Sequence, residues 1–368
     1  MSEGRCWAEV DHAALRHNAA AVRARIGAKP GIIAVVKADG YGHGGPEVAR
    51  TLAPMVEQLG VASLGEARAV RAAVPDRDIM ILSPCLPQER ADAAGEGFIP
   101  VVSSAGEAEA FAGLAEGGPV RVHLAIDTGM GRIGVWQDEA LPVAAEMAKM
   151  EGIVVESVST HLPVADSDAE FTAAELESWV SLQNSLRGLL PGAKFHALNS
   201  AASLARPGFA ADRVRPGLAL YGISPLPEFQ PELRPVLALK TRITLVRDVG
   251  AGRGISYGRD FITPRPMRIA TLAMGYADGY PRQVSGRGAH VLVRGRRSPV
   301  LGRITMDQFM VDVSGLPQDV GPGEEVVLIG RQGEEEIAVD ELAGWAGTIS
   351  WDIFTRLGRR VKLVHLGA

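Results

Sequence analysis

Short β-branched runs alternate with longer alanine-rich segments of helical periodicity between Gly31 and about Tyr221. Short apolar runs bounded by turn residues predict buried strands, whereas apolar residues spaced three and four apart predict helices. The pattern predicts strands at Ile32–Lys37, Gly60–Leu64, Asp78–Leu82, Phe98–Val102, Val120–Ile126, Val154–Thr160, Phe195–Leu198 and Arg213–Arg215. The clearest predicted helices are Asp11–Ile26, Glu107–Ala115 and Ala169–Leu189.

This alternation indicates a particular architecture. Eight strands, each followed by a helix-like segment within roughly 200 residues, are typical of a (β/α)8 TIM barrel. We therefore predict an α/β fold in which the first part of the chain is a TIM barrel. An open, doubly wound parallel sheet could be built from the same elements and remains the alternative at this point.

The pattern changes after Pro235, where valine-, threonine- and isoleucine-rich runs are broken by glycine, proline and aspartate. This texture predicts a separate, mostly antiparallel β domain. The predicted boundaries are 11–234 for the barrel domain and 235–368 for the β domain. The segment Arg5–Val10 has no place in the barrel, so we expect residues 1–10 to add a strand to the β domain. The predicted strands after Pro235 are Ala238–Val249, Met267–Met274, Ala289–Val293 and Glu325–Ile329.

Composition and charge exclude several kinds of partner. A net charge of −5 indicates neither nucleic acid nor an anionic membrane. Two cysteines, Cys6 and Cys85, do not make a disulfide framework, and because no metal-ligand spacing is present we predict no metal site. The chain start lacks a signal-peptide pattern, and no apolar run approaches the ~20 residues of a membrane span. We therefore expect a soluble cytoplasmic protein whose basic run Arg294–Arg297 lies in a solvated turn.

The segment most informative about chemistry is Ala34-Val-Val-Lys-Ala-Asp-Gly-Tyr-Gly-His-Gly44. Lys37 is predicted to end a buried strand, although burying an unpaired ammonium group is costly. Its position would be the carboxyl-terminal end of the barrel, where TIM-barrel active sites lie. A desolvated lysine there has a lowered pKa and can form a Schiff base. A strand-end lysine alone is as often a surface residue, but glycines that let a ligand approach the backbone favour the functional interpretation.

The same segment closely resembles the cofactor signature of the alanine racemase family, and the resemblance extends from Trp7 to Ser350. Members of this family are fold-type III pyridoxal-phosphate enzymes that combine a TIM barrel with a β domain and form homodimers. The resemblance implies that pyridoxal 5'-phosphate is the cofactor and that Lys37 holds it covalently. It also implies that Lys37 is one of two catalytic bases and that Tyr41 binds the cofactor phosphate.

Two further barrel motifs follow in the order found in the family. Asp127-Thr-Gly-Met-Gly-Arg-Ile-Gly134 resembles the loop whose arginine, here Arg132, contacts the phenolic oxygen of the cofactor and the substrate carboxylate. Thr160-His161 places a histidine after the sixth predicted strand. A lone histidine there is more often structural, but the resemblance implies that His161 lies beside the cofactor ring and links the catalytic tyrosine to an arginine.

The last two predicted strands lead into His196-Ala-Leu-Asn-Ser200 and Val214-Arg-Pro-Gly-Leu-Ala-Leu-Tyr221. TIM barrels often bind phosphate after these strands, through backbone amides and a helix N-terminus. The resemblance implies that Arg215 donates to the pyridine nitrogen. Because arginine is effectively never deprotonated, that nitrogen would stay unprotonated, which suits racemisation. The other cofactor-binding residues predicted here are Asn199, Ser200, Gly217 and Leu218.

Two motifs of the predicted β domain resemble loops that enter the active site of the other subunit in this family. Met274-Gly-Tyr-Ala-Asp-Gly-Tyr-Pro-Arg282 resembles the loop that carries the second base, here Tyr276. Gly302-Arg-Ile-Thr-Met-Asp-Gln308 resembles the loop that meets the substrate carboxylate, here through Met306 and Asp307. Each motif alone is merely a glycine-bounded turn, but together they imply a homodimer with shared active sites.

Two positions depart from the usual family pattern. Many members have a carbamylated lysine seven residues before the arginine of the loop, and this chain has Ala125, so another group must position Arg132. The family's phosphate-binding tyrosine after Thr-Ile-Ser is replaced by Trp351, whose indole can donate one hydrogen bond. Because indole is larger than phenol, we expect a substrate pocket that is no roomier than usual and favours alanine.

Taken together, the motifs predict a racemase that interconverts L- and D-alanine through two bases, Lys37 and Tyr276. A racemase of serine or of a broader set of amino acids is one alternative. A non-catalytic cofactor carrier is another, but such carriers have a single domain and lack a counterpart of Tyr276. A decarboxylase on this barrel is disfavoured, because a carboxylate is expected where Arg215 stands.

Overall fold

The computed structural model describes residues 4–368, and their contacts divide the chain into two units. The barrel unit comprises Ala13–Gly40 and Gly44–Arg234. The β unit comprises the described residues up to His12, the short segment Tyr41–His43, and Pro235–Ala368. Residues 1–3 of the predicted strand over residues 1–10 lie outside the described part of the chain.

The elements have the following bounds. The strands are β1 (Cys6–Asp11), β2 (Gly31–Val35), β3 (Gln58–Val61), β4 (Ile79–Pro84), β5 (Ile99–Val102), β6 (Val120–Asp127), β7 (Val135–Trp136), β8 (Ile153–Ser159), β9 (Lys194–His196), β10 (Arg213–Val214), β11 (Leu237–Val249), β12 (Gly254–Ile255), β13 (Phe261–Ile262), β14 (Met267–Leu272), β15 (His290–Val293), β16 (Arg296–Leu301), β17 (Phe309–Asp312), β18 (Glu325–Gln332), β19 (Glu335–Ile337) and β20 (Lys362–Leu366). The helices are α1 (His12–Ile26), α2 (Lys37–Gly42), α3 (Gly45–Leu52), α4 (Leu64–Ala73), α5 (Arg90–Gly95), α6 (Ala105–Ala112), α7 (Ala140–Met147), α8 (Ala169–Leu189), α9 (Ser200–Ala205), α10 (Val339–Ala346) and α11 (Ser350–Thr355).

The barrel unit is a (β/α)8 barrel. Within residues 4–368, its parallel strands follow the order β10, β2, β3, β4, β5, β6, β8, β9, so sequential strands are neighbours. Backbone hydrogen bonds close the ring between its two ends, from Asp212 to Phe195 (3.0 Å) and from Arg215 to Leu198 (2.8 Å). This order confirms the predicted TIM barrel and excludes the doubly wound alternative, which would need strands on both sides of a central starting strand.

Every predicted barrel strand has an observed counterpart, but strand ends differ by up to three residues. Helix caps account for much of this difference. The Ser63 hydroxyl accepts a hydrogen bond from the Glu66 N–H (3.3 Å), so Leu64 begins a helix instead of ending a strand. Ser104 caps α6 in the same way through Glu107 (3.1 Å), and this helix therefore begins before its predicted start.

The β unit is a mostly antiparallel sheet that curls into a ring. In the described residues, β18, β15, β16, β17, β14 and β11 pair in succession, and β11 pairs again with β18. β1 lies antiparallel to β11 and parallel to β20 in this sheet. Of the basic run, Arg294 and Gly295 form the turn between β15 and β16, whereas Arg296 and Arg297 are exposed and begin β16. Arg294 pairs with Asp319 and Glu324.

Two short helices of the β unit were not predicted. In α10, Val339, Leu342, Ala343 and Ala346 are buried and lie on one face of the helix. The spacing of these apolar residues is visible in the sequence, but α10 is short and lies in a β-rich part of the chain, so the helix was not predicted. In the described residues, no helix has the length and apolar character needed to cross a membrane. The same residues contain no group of three or more metal-ligating side chains.

The short element α2, which begins at Lys37, is a turn with left-handed backbone geometry. Residues 38–42 all have positive φ, between 52° and 78°. The predicted first strand therefore ends at Val35, and Lys37 begins this turn instead of ending the strand. Gly42 belongs to the β unit and is required there, because a Cβ atom at this position would lie 2.2 Å from the Phe354 carbonyl oxygen. The His43 ring packs edge-on against the Phe354 ring, with centroids 4.9 Å apart.

We predict that Gly42→Ala destabilises the protein far more than Gly27→Ala. Both glycines have similar positive φ (78° and 80°), but a Cβ at Gly27 would meet no atom within 4 Å. Gly27→Ala should therefore cost only the backbone strain, about 1 kcal/mol, whereas Gly42→Ala must also displace backbone and should cost roughly 3 kcal/mol or more. Urea unfolding followed by circular dichroism measures both values, and equal losses would contradict the close approach.

Candidate active site

Lys37 follows β2 at the carboxyl-terminal end of the barrel and is partly buried. Burial lowers the pKa of its ammonium group, and the nearby Arg132 guanidinium lowers it further, while the Glu66 carboxylate raises it. The net effect is a lowered pKa, so at a given pH a larger fraction of the amine is neutral than in a free lysine. This is the property that a lysine needs in order to attack a carbonyl group or accept a proton.

The left-handed turn fixes the backbone that directly follows Lys37. Ala38, Asp39 and Tyr41 hold positive φ values of 52–54° without being glycine. The Asp39 carboxylate accepts a hydrogen bond from the Gly45 N–H (2.7 Å), which ties the turn to the start of α3. Such geometry is unfavourable for residues with a Cβ and is typically found at functional sites, where the surroundings hold it in place.

The loop after β6 carries Arg132, and the Asp127 carboxylate organises it. This carboxylate accepts backbone hydrogen bonds from Gly129 (2.9 Å), Gly131 (3.1 Å) and Arg132 (3.0 Å). Burial raises the pKa of Asp127, but these hydrogen bonds outweigh it, and the net direction is downward. This chain has Ala125 where many family members have a carbamylated lysine. The backbone of Arg132 is instead positioned by the carboxylate of Asp127, the last residue of β6.

A chain of hydrogen bonds links this loop to the end of β8. The Thr128 hydroxyl donates to the Glu175 carboxylate (2.5 Å) and also contacts the Thr160 hydroxyl (2.6 Å). Burial raises the pKa of Glu175. Because Thr160 directly precedes His161, the loop of Arg132 and the strand end of His161 are held in one polar network.

Arg215 is buried after β10 without a carboxylate partner among its hydrogen bonds. Its guanidinium donates to the carbonyl oxygens of Thr160 (2.5 Å), His196 (3.1 Å) and Ala197 (3.3 Å) and to the imidazole Nδ1 of His196. Burial, with a smaller contribution from Arg132, lowers the pKa of Arg215 to about 10. Arg215 therefore remains a cation at neutral pH and is anchored by strand-end carbonyl groups.

His161 lies near these cations. Burial and the positive charges of Arg215, Arg132 and Lys37 lower the pKa of His161 to about 3. The imidazole is therefore neutral at physiological pH, and one ring nitrogen can accept a hydrogen bond or a proton. The sequence left open that His161 is a structural residue, and the three nearby cations favour the functional interpretation.

Ser200 and Asn199 shape the end of the barrel after β9. The Ser200 hydroxyl oxygen accepts hydrogen bonds from the N–H groups of Gly217 (2.9 Å) and Ala219 (3.2 Å), which leaves its own hydrogen to donate. The amide of Gly217 is thus directed to Ser200, and Leu218 begins the short helical turn Leu218–Tyr221. Asn199 caps α9 through the Ala202 N–H (3.1 Å).

Two buried histidines behind Arg215 were missed in the sequence. The rings of His123 and His196 stack with centroids 5.0 Å apart. His123 contacts the hydroxyls of Ser157 and Ser159 (both 2.9 Å), and burial together with Arg215 lowers its pKa to about 3. The spacing of the two serines on one strand was a usable signal, since alternate strand residues face the same side. Their pairing with a histidine of another strand was not visible.

In the β unit, the loop that carries Tyr276 and the loop that carries Met306 are joined by backbone hydrogen bonds. The N–H of Tyr276 donates to the Thr305 carbonyl and that of Ala277 to the Met306 carbonyl, both at 3.0 Å. A Cβ at Gly275 would lie 2.3 Å from the Met306 carbonyl oxygen, so the two loops can be this close only with glycine there. Tyr276 and Met306 are nevertheless 41% and 53% exposed, which leaves both side chains available to a partner or ligand.

Arg360 holds these loops from behind. Its guanidinium pairs with Asp278 (2.8 Å) and Asp307 (2.7 Å), and Asp278 in turn accepts the Gly275 N–H (2.9 Å). Asp307, one of the predicted substrate-binding residues, is therefore neutralised by Arg360. This partner could not be identified from the sequence, because Arg360 lies more than fifty residues from Asp307 in the chain.

The two predicted phosphate-binding aromatic residues of the β unit differ in burial. Tyr41 is buried, and burial raises the pKa of its hydroxyl to about 12, so the hydroxyl keeps its proton for donation. Trp351 lies on α11, where Ser350, Ile353 and Phe354 are buried and Trp351 is partly exposed. Its indole is not enclosed in the core of the β unit.

The donor set of the barrel end fits pyridoxal phosphate. Lys37 is a desolvated amine that suits an aldehyde, while the guanidinium groups of Arg132 and Arg215 have no carboxylate hydrogen-bond partner in the described residues. Ser200 retains a hydroxyl hydrogen beside the turn of Gly217. An anionic, carbonyl-bearing cofactor would satisfy all three kinds of group.

Two family models together match most of the chain. The family model described as "Alanine racemase, N-terminal domain" matches residues 10–225, and the one described as "Alanine racemase, C-terminal domain" matches residues 236–365. A relative named "Alanine racemase" from Symbiobacterium thermophilum is 43% identical over 371 residues, covering 98% of this chain and 97% of the relative.

Solved structures show the same similarity. The structure named "Alanine Racemase" from Streptomyces coelicolor has a TM-score of 0.90 and 38% identity, and the match covers 99% of this chain and 98% of that one. The alanine racemase from Bartonella henselae, described with covalently bound pyridoxal phosphate, has a TM-score of 0.90 and 27% identity, with 99% and 100% covered.

We predict that Asp127→Asn destabilises the protein in a pH-dependent manner. An asparagine would direct an N–H₂ group or a weaker acceptor at the three loop amides, which should cost about 1–3 kcal/mol at pH 7. Because the folded-state pKa of Asp127 is below the unfolded value, its contribution is complete above about pH 4 and is lost as the pH falls through the folded pKa. Unfolding free energies of the two proteins should therefore converge in acid.

The matched control is Asp138→Asn, which makes the same change at an exposed position of the following segment. It should leave the unfolding free energy within about 0.5 kcal/mol of wild type at every pH. A similar loss in both variants, or a loss at Asp127 that does not change with pH, would contradict the role of this carboxylate.

Proposed function

Because this chain belongs to the alanine racemase family, we propose that it interconverts L- and D-alanine with pyridoxal phosphate, and that Lys37 and Tyr276 transfer protons on opposite faces of the substrate. The observation that carries the assignment of roles is that the same barrel end contains both a desolvated amine, at Lys37, and a buried guanidinium that is charged at neutral pH, at Arg215. A lysine that has lost its hydration is suited to covalent attachment and to proton transfer.

Pyridoxal phosphate, when bound, withdraws electrons from the substrate and acidifies its α-hydrogen. Lys37 accepts or returns this proton at Nζ, and its lowered pKa supports that role near neutral pH. Arg215 holds its proton, because carbonyl groups stabilise the cation, and so donates a hydrogen bond without transferring charge. Because Arg215 would not give up its proton, it would favour return of the substrate proton over side reactions such as transamination.

Tyr276 is proposed as the base for the opposite face, acting at its phenolic oxygen in the barrel of a second subunit. A tyrosine with an ordinary pKa near 10 is a weak base at neutral pH. In that position Tyr276 would face the neutral imidazole of His161, which can accept a proton, and the cation of Arg215. The exposure of Tyr276 and Met306 supports action on a second copy, and the proposed assembly is a homodimer with shared active sites.

The remaining assignments follow the chemistry of each group. Arg132, Met306 and Asp307 are proposed to meet the substrate carboxylate, and the Arg360 partner of Asp307 limits repulsion there. Trp351 is proposed to border the phosphate and the space beyond the substrate β-carbon, which would favour alanine over serine or larger amino acids. The proposed cofactor-binding residues are Tyr41, His161, Asn199, Ser200, Arg215, Gly217, Leu218 and Trp351. The domain boundaries 11–234 and 235–368 and a cytoplasmic location are also retained as proposals.

We expect borohydride to fix pyridoxal phosphate to Lys37 in the full-length protein. After digestion, mass spectrometry should find the label on the peptide that contains Lys37, and Lys37→Ala should lose the label and on the order of 10³-fold or more of racemisation. Lys29→Ala is the control, because Lys29 is exposed and should be neither labelled nor required. Label on a different lysine, or D-alanine formation that survives Lys37→Ala, would contradict the assignment.

We also expect two inactive variants to complement each other. In a mixture of Lys37→Ala and Tyr276→Phe subunits, a hybrid dimer has one intact site if Tyr276 acts across the interface. Random mixing makes half of the dimers hybrids with one of two sites restored, so activity should recover to about one quarter of wild type. Chiral chromatography of D-alanine measures the recovery. If subunit exchange is demonstrated and activity stays at the level of the separate variants, the shared site is wrong.

A further inference from the structure

Glu66 is a carboxylate that joins the ends of two neighbouring barrel strands. It lies in the first turn of α4, where one carboxylate oxygen accepts the N–H of Ala38 and the other accepts the N–H of Ala62, both at 2.8 Å. Ala38 follows Lys37 after β2, and Ala62 follows β3. The backbone immediately after Lys37 is therefore tied to the adjacent strand by a single side chain.

Part of this arrangement is ordinary helix capping. Ser63 and Glu66 form the pattern in which a serine caps the helix and a glutamate three residues later returns to the preceding backbone. Ser104 and Glu107 repeat it at α6, where Glu107 accepts the Ser103 N–H (2.7 Å). The hydrogen bond to Ala38 is additional, and it distinguishes Glu66 from Glu107.

The additional bond falls where the backbone is least favourable. Ala38 and Asp39 both have φ of 52°, and Tyr41 has φ of 54°. Left-handed geometry costs roughly 1–2 kcal/mol for each residue that carries a Cβ, so a turn of this kind persists only when surrounding contacts hold it. A charge-assisted hydrogen bond from a carboxylate is among the stronger contacts available for this purpose.

We propose that Glu66 is a positioning residue for Lys37, because its carboxylate holds the left-handed turn that follows the lysine and places a negative charge beside the amine. The proposal rests on the assignment of Lys37 as the cofactor lysine. Glu66 does not itself contact the reacting atoms in this account. It acts through the backbone of Ala38 and through its charge.

The charges facing Lys37 give the proposal a directional consequence. Arg132 on the loop after β6 lowers the pKa of the amine, Glu66 on α4 raises it, and His161 after β8 is neutral. Burial is the largest influence and also lowers this pKa. Loss of the carboxylate charge in a turn that stays closed should therefore lower the pKa of Lys37 further, whereas a turn that opens to water would raise it.

The experiment compares Glu66→Gln with Glu107→Gln in the full-length protein. Each loses one capping carboxylate, and thermal midpoints measure that common cost. The first readout is the rate at which the loaded protein releases pyridoxal phosphate to a scavenger. The second is the pH midpoint for covalent capture of pyridoxal phosphate by the stripped protein. We expect release to be about tenfold faster from Glu66→Gln than from Glu107→Gln, and the midpoint to move to lower pH in Glu66→Gln alone.

Equal release rates from the two glutamine variants would overturn the proposal, as would a midpoint that is the same in both. A midpoint at higher pH in Glu66→Gln alone would mean that the turn opens without the carboxylate, which supports the role of Glu66 in holding the turn. If Glu66→Gln does not fold, Glu66→Asp and Glu107→Asp provide the same comparison of release rates. Aspartate retains the charge but is too short to reach both amides, so release from Glu66→Asp should again be the faster. Cofactor found on a lysine other than Lys37 in the wild-type protein would instead refute the proposed function on which this inference depends.

Discussion

Burial of positive charge at the carboxyl-terminal end of the barrel is the constraint on which the site depends. Arg215 is buried with no carboxylate among its hydrogen-bond partners, and its cation is stabilised by the carbonyl groups of Thr160, His196 and Ala197. Those carbonyls belong to residues at or directly after the ends of β8 and β9. A carboxylate in their place would neutralise the charge and remove the attraction for an anionic ligand. The barrel therefore provides both the position of Arg215 and the means of keeping it charged.

Burial and the same positive charges together determine the protonation state of the groups around Arg215. The pKa values of His123 and His161 fall to about 3 because burial and the nearby cations both disfavour protonation. Neutral imidazoles can accept hydrogen bonds from the arginines that depress them, as His196 does from Arg215. The lowered pKa of Lys37 has the same origin, since desolvation and Arg132 act in one direction on its amine. Burial and nearby positive charge thus act together to give a neutral acceptor at His161 and a lowered pKa at Lys37.

The sequence predicted those features that depend on local patterns. Strand and helix alternation identified the barrel, and the motif around Lys37 identified the reactive lysine. Contacts between distant segments were not predictable in this way. The roles of Glu66 toward Ala38 and of Arg360 toward Asp307 depend on which loops the fold brings together, and neither residue belongs to the motif that it supports. The left-handed turn was also hidden, because only two glycines occur among its five residues, and Ala38, Asp39 and Tyr41 individually favour other geometry.

The loops of the β unit follow a different physical logic from the barrel end. Their backbones are rigid, because Tyr276 and Ala277 bond to the loop of Met306, and Arg360 joins both loops through two carboxylates. Their side chains nevertheless remain exposed, which is unfavourable for a large apolar group such as Met306 unless another surface covers it. Rigid backbone with exposed side chains is what an interface needs, since little conformational entropy is then lost on association. The barrel end holds charge in a protected position, and the β unit presents a preorganised tyrosine to whatever binds its exposed loops.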